Sequence, residues 1–298
     1  MYFPASGVDT PFWLPPLVAL VISFFTSMGG VSGAFLLLPF QVSYLGYTAP
    51  SVSATNQLFN LVAIPSGVYR YIREGRMVWP LTLAIVLGTL PGVFIGAWIR
   101  IVHLPDPRHF KLFAGLVLLY IGLRLLLDAV KKRGRASIED VPTGSFVVKM
   151  KAPLSIKRIE FEFAGETVSF SPAGVLVLGF AVGIVGGIYG IGGGAIIAPV
   201  LVAFLAIPVY TVAGAALMGT FITSVAGLGF YQLLALRYTG QNVAPDWLLG
   251  FLFGAGGFVG MYLGARCQRH VPSRAIEFLL CCCVLFVALR YVVGFFSG

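Results

Sequence analysis

Two stretches of this 298-residue chain have the residue types and spacing to hold a small ligand. The first, "GGIYGIGGGAIIAP" from Gly186 to Pro199, places six glycines between Gly186 and Gly194 and then enters an apolar run. Glycine lets a backbone turn sharply and approach a ligand closely. The free N–H groups of a helix's first turn, helped by its dipole, attract negative charge. The second stretch, "ATNQLFN", offers Thr55, Asn56, Gln57 and Asn60 inside a run without charged side chains. Adjacent amides in apolar surroundings are costly unless something satisfies them. Backbone N–H groups plus amide side chains, with no carboxylate nearby, make a site for an anion.

Other chemistries find less footing. "GIGGGA", Gly190 to Ala195, matches the letters of a dinucleotide loop, but that loop needs a preceding strand and an acid about 20 residues on. Its flanks here are uncharged. No H-E-x-x-H, G-x-S-x-G or G-x-x-x-x-G-K occurs, so hydrolysis lacks an evident nucleophile and base, and the chain carries no ATPase of its own. Cys267, Cys281, Cys282 and Cys283 lack zinc or disulfide spacing and read as small apolar packing residues. No metal or cofactor is expected.

The elements that must position these stretches lie in a membrane. The chain is 58% hydrophobic and 10% charged, against roughly a quarter charged in soluble domains. No charged residue lies between Asp9 and Arg70 or between Glu166 and Arg237; at about 20 residues per crossing, each gap has room for about three passes or half-passes. Met77 to Ile99, Leu112 to Leu127, Trp247 to Ala265 and Phe278 to Leu289 supply four more helices. The fold class is an all-α polytopic membrane protein. Its N-terminus lacks the basic start of a signal peptide, so the first helix is expected to remain.

Laid over itself, the chain repeats. "GVSGAFLLLP" from Gly30 aligns with "GIGGGAIIAP" from Gly190, so that Gly33 meets Gly193 and Pro39 meets Pro199. Gly67 and Tyr71 meet Gly227 and Tyr231 at the same spacing, and the ladder Gly88, Gly92, Gly96 recurs as Gly256, Gly260, Gly264. The repeat continues through "HLP" at His103 and "HVP" at His270 to Arg124 and Arg290. The expected domains are a first membrane repeat (1–130), a linker (131–171) and a second membrane repeat (172–298). The linker is charged and locally alternating, suiting a β-hairpin, and its eight Lys and Arg place it in the cytoplasm. Residues 12–44 as one helix would span about 50 Å at ~1.5 Å per residue, against a hydrocarbon core of about 30 Å. A glycine-broken helical hairpin plus three transmembrane helices per half fits better than a single straight span. Three full crossings per half make the repeats inverted, a plan recurrent among secondary transporters. The ladders read as helix-packing surfaces.

"GGVSGAFLLLP", "APSVSATNQLFNL" and "GIYGIGGGAIIAPVL" resemble the TauE/SafE sulfite-exporter family of membrane permeases, over nearly the whole membrane part but not the linker. The resemblance implies transport of sulfite, a sulfonate or a related sulfur oxyanion across a bacterial inner membrane. Such an anion has several acceptor oxygens, so one helix start from each half can converge on it. The expected substrate-binding residues are Gly30, Ser32, Gly33, Thr55, Asn56, Gln57, Asn60, Tyr189, Gly190, Gly192, Gly193, Gly194 and Thr220. At the repeat spacing, Thr55, Asn56 and Gln57 meet Ala215, Ala216 and Leu217, so the polar complement falls mostly on the first half. His103 and His270 could carry a coupling proton, although both sit at helix ends beside proline, where headgroup contact or capping serves equally. An anion channel is the alternative, and an intramembrane enzyme a weaker one. The net charge of +9 clusters at membrane edges, which points to anionic lipid as a partner and away from nucleic acid. Nothing in the sequence speaks to oligomeric state.

Overall fold

A backbone in lipid can satisfy its polar groups only within helices or closed barrels, and the long uncharged runs of this chain fold as helices. The computed structural model describes residues 1–28, 31–73, 75, 77–131, 149–150, 159–163, 166–193, 196–198, 200–201, 209–267 and 273–297. A small antiparallel ribbon, β1 (Tyr2–Phe3) with β2 (Val8–Asp9), precedes α1 (Leu14–Met28) and α2 (Ala34–Ser43). Next come α3 (Ser51–Ala63), α4 (Pro65–Arg73), α5 (Trp79–Val102) and α6 (Pro107–Lys131). Three strands follow in one antiparallel sheet: β3 (Lys149–Met150), β4 (Ile159–Phe163) and β5 (Glu166–Phe170). The chain then forms α7 (Pro172–Tyr189), a short helical stretch over 196–198 and 200–201, α8 (Val209–Arg237), α9 (Trp247–Cys267) and α10 (Ser273–Phe296).

Five of these helices are long and apolar enough to cross a membrane, among them Trp79–Val102 in α5 and Val212–Arg237 in α8. Their outer faces carry Leu83, Leu87, Leu116, Phe251 and Phe258 in the open. Exposed apolar surface on that scale marks contact with lipid. All four tryptophans, Trp13, Trp79, Trp98 and Trp247, are exposed and sit at or near helix ends, where the amphipathic indole suits the interface. The protein is an all-α polytopic membrane protein.

The glycine ladders decide how the helices pack. A Cβ on Gly88, Gly92 or Gly96 of α5 would overlap the carbonyls of Leu176, Phe180 and Ile184 on α7. A Cβ on Gly256, Gly260 or Gly264 of α9 would overlap those of Pro16, Leu20 and Phe24 on α1. Residue numbers rise together along both pairs, so α5 runs parallel to α7, and α9 to α1. The two sets of contacts are interchanged by the repeat, and each ladder grips the first helix of the other half. In contrast α6 and α10, which occupy matching places in the two halves, pack antiparallel: Gly115 meets Tyr291 and Gly122 meets Leu285.

The halves differ in the helix that follows the glycine break. In the first, the helix after the glycine break stops for a residue at Ile64, before Pro65, and resumes as α4, whereas its counterpart α8 runs on unbroken. Proline lacks an N–H and disfavours helix at the preceding residue; at the repeat spacing its place in α8 is taken by Val225.

Because the ladder contacts are backbone to backbone, branched side chains there cannot be absorbed by rotamer changes. Gly92→Val and Gly260→Val should each destabilise the protein by about 1–3 kcal/mol through overpacking, read as a lower Tm in detergent, while the lipid-facing Leu87→Val should leave it unchanged. Wild-type Tm in both glycine variants would contradict the packing described.

Candidate functional site

Both glycine-rich segments turn the chain back on itself. A Cβ on Gly33 would lie 3.0 Å from Ser23 Oγ on α1, a residue that an unbroken helix would hold about 15 Å away. In the second half Gly193 returns to Val182, with 3.7 Å from its Cβ position to Val182 Cγ1. The local hydrogen bonds match at the repeat spacing. Val31 N donates to Thr26 O as Ile191 N does to Gly186 O, and Leu36 and Leu37 N to Gly33 O as Ile196 and Ile197 N do to Gly193 O. The backbone torsions do not match: Gly190, Gly192 and Gly193 have φ of +83°, +66° and +81°, whereas Gly33 is helical at φ −66°. Gly190 closes α7 as a left-handed cap with its N–H and that of Ile191 on Gly186 O, and a Cβ there would overlap Ser53 O.

The polar side chains of α3 and α8 tie the two turns together. Asn56 Nδ2 donates to Ala34 O (3.0 Å) in the first turn and to Gly190 O (3.2 Å) in the second, and Asn56 Oδ1 accepts from Gln41 Nε2 (3.3 Å). Asn60 Oδ1 accepts from Ser32 Oγ (2.6 Å), and its Nδ2 reaches Ser224 Oγ (3.3 Å) on α8. Ser32 Oγ also accepts from Ala34 N (3.3 Å), capping the start of α2. From α8, Thr223 Oγ1 donates to Gly192 O. Ser53 Oγ and Tyr231 OH hold the end of α7 at Ile188 O (2.8 Å) and Gly187 O (2.9 Å). Ser32, Asn56, Asn60, Thr223 and Ser224 are all buried, so the turns meet in a core closed to solvent.

Gln57 stands apart. It is fully buried on the side of α3 facing α8, with its amide against Gly227, and neither Oε1 nor Nε2 has a hydrogen-bond partner. Its repeat counterpart Leu217 packs in the same way on Gly67, the counterpart of Gly227. A leucine therefore fills one of the two related places and an unsatisfied amide the other.

Several expected residues point elsewhere. Thr55 bonds Tyr47 OH (3.0 Å) and accepts from Asp246 N (2.9 Å), away from the turns. Thr220 returns its hydroxyl to Ala216 O (2.8 Å) in its own helix, although its backbone lies against Gly192. Tyr189 OH reaches across to Phe35 O (2.8 Å) and so braces one turn against the other. His103 is exposed, edge-on to Trp98 at 5.0 Å, and not among the groups that bond the turns. Gly30, Gly194 and His270 lie outside the described residues. Four contributors were absent from the sequence reading: Gln41, Ser53, Thr223 and Ser224. The last two were hidden because α8 opposes α3 with falling numbers, so the partners of Asn60 and Gln57 are Ser224 and Gly227 and not their repeat counterparts.

Among the described residues the buried set holds two charged side chains, Arg100 and Asp246, and neither bonds the turns. No three His, Cys, Asp or Glu among them could hold a metal ion. A neutral core of amides, hydroxyls and backbone N–H groups at broken helices suits a small polar or anionic ligand.

Comparison with known proteins places the chain among membrane transporters. The chain is 22% identical over 291 residues to the "Probable membrane transporter protein YunE" of Bacillus subtilis, covering 94% of this chain and 97% of that one. It is 24% and 23% identical to two proteins named "Probable membrane transporter protein" from strains of Xylella fastidiosa, over 91% of this chain and 92% of each. No solved structure matches it. A sequence profile described as "Sulfite exporter TauE/SafE" matches residues 16–291, nearly the whole chain, and the protein belongs to that family of membrane transporters.

Proposed function

We propose that the protein is a secondary transporter for a small sulfur oxyanion, sulfite or a sulfonate, and that it binds this anion between the two glycine turns. The observation that carries the reading is the pair of matching helix starts, at Gly33 and Gly193, drawn together by Asn56, Asn60, Thr223 and Ser224 with no carboxylate among the bonds that join them. Helix starts supply N–H donors and positive dipole ends, and an oxyanion supplies acceptors for both. On this reading the repeats are inverted in a bacterial inner membrane, with the linker in the cytoplasm. The antiparallel packing of α6 on α10 and the exchange of ladder contacts support the inversion.

The side chains divide by role. Asn56 spends its amide on carbonyls of both turns and fixes their separation; Asn60 and Ser32 share one hydroxyl bond that an oxyanion can replace. Gln57 supplies donor capacity that nothing in the closed state uses. A site with closed access and a spare amide is that of a carrier between openings, and this favours a carrier over a channel.

Purified protein in proteoliposomes should move sulfite or a sulfonate with saturation, and cations or neutral solutes should not compete. Conductance that rises without saturation would instead identify a channel. Gln57→Leu should raise the stability of the folded protein by about 1–3 kcal/mol, because it removes an unsatisfied buried amide, and should lower anion flux at least tenfold. Wild-type flux in Gln57→Leu would remove Gln57 from the site. Asn60→Asp, which sets a carboxylate between the turns, should stop flux of any anion while the protein still folds; retained flux would exclude the turns as the binding place.

A further inference from the structure

Arg100 is the one fully buried cation among the described residues, and the central site makes no use of it. It stands near the end of α5, one turn beyond Gly96, whose backbone lies against Ile184 and Ile188 of α7. That places it beside the second glycine turn, on the side where the connections after α2, α5 and α8 lie. Its Nη2 donates to Thr48 O (3.0 Å) and its Nη1 to Leu104 O, its guanidinium carbon lies 3.8 Å from the centre of the Phe110 ring, and its Nε has no partner. The titratable groups facing it are the phenols of Tyr47 and Tyr231. Among the described residues no carboxylate forms an ion pair with it. Asp246, which is also near Tyr47, gives its oxygens to Ser6 and to the Leu249 N–H.

A buried charge is tolerated when it is paired and hydrogen-bonded. The end of α5 and two loop carbonyls offset the Arg100 charge in part, but they are neutral and leave one donor idle. The missing component is an anion. Tyr231 links this place to the turn, since the phenol that faces Arg100 donates to Gly187 O in the last turn of α7. At the spacing that pairs Gly96 with Gly264, the position of Arg100 is held by Gln268 in the other half, so the charge is not duplicated by the repeat.

We propose that Arg100, flanked by Tyr47 and Tyr231, is a second oxyanion subsite, lying between the glycine turns and the face at which α5 ends, where the transported anion is held on its way to or from the central site. The guanidinium presents a planar fork of donors matched to two oxygens of such an anion, and it exchanges the carbonyls of Thr48 and Leu104 for them as the loops open. The subsite rests on the reading of the protein as an anion carrier, but its chemistry, a charged fork, differs from the neutral donors of the turns.

The test titrates purified full-length protein with sulfite and with thiosulfate at constant ionic strength, following the rise in Tm, and measures sulfite flux in proteoliposomes. Arg100→Gln should lose most of the anion-dependent rise and need at least tenfold more sulfite for half-maximal flux. Arg100→Lys keeps the charge but not the fork, and should shift the same concentration several-fold. Wild-type titrations in Arg100→Lys overturn the subsite, even where Arg100→Gln fails to fold. Asn60→Ala separates the two readings. Lost flux in Asn60→Ala beside wild-type titrations in both Arg100 variants overturns the subsite and leaves the central site standing; normal flux in Asn60→Ala beside weakened titrations in the Arg100 variants does the reverse.

Discussion

Breaking a helix inside a membrane frees backbone N–H and C=O groups that lipid cannot satisfy, and everything around the two glycine turns answers that requirement. Carbonyls of the second turn at Gly190 and Gly192 accept from Asn56 and Thr223, Asn56 also reaches Ala34 O in the first, and the end of α7 is held by Ser53 and Tyr231. Those donors sit on α3 and α8, which must therefore pass close to both turns. Close passage needs small residues where the backbones meet, and it is met by Gly190 against Ser53, by Gly192 against Ser224 and by Gly227 under Gln57. Polar satisfaction at the turns thus fixes the packing of the central helices.

The repeat accounts for the frame and leaves the chemistry to its exceptions. Ladder contacts, first-turn hydrogen bonds and the Gln57–Gly227 and Leu217–Gly67 contacts all interchange between the halves. The correspondence fails at particular places: Thr55, Asn56 and Gln57 of α3 against Ala215, Ala216 and Leu217 of α8, and Arg100 against Gln268.

Much of this was legible in the sequence, and for physical reasons. Glycines spaced four apart, a repeated Gly–Pro frame and long uncharged runs are one-dimensional records of helix contacts and of lipid exposure. They located the turns, the ladders and the class of fold. Which side chains share a site is a different kind of information. A repeat comparison pairs residues at a constant spacing, whereas antiparallel helices bring together residues whose numbers run in opposite directions, so Asn60 meets Ser224 and not Thr220. Thr55 and Thr220 looked equivalent to their neighbours by type but rotate away from the turns, one toward Asp246 and one onto its own helix. Arg100 stands at the end of an apolar run, as interfacial arginines do, and only its complete burial sets it apart.

The ladders also limit how such a protein can open. Each half's first helix is packed by the other half's ladder, α1 on α9 and α7 on α5, with carbonyls where Cβ atoms would stand. A rigid displacement of one sequence half past the other would shear both ladders together. Backbone ridges at that distance re-register only in steps of about one helical turn, 5.4 Å, so small continuous sliding is blocked. Interlocked in this way, α1 with α9 and α7 with α5 form two units, each carrying one arm of a turn. Between them α3 meets α8, where the Gln57 amide lies against Gly227 without a hydrogen-bond partner. The Asn60–Ser224 hydrogen bond crosses that seam, so separating the two units there costs this bond and leaves both ladders intact.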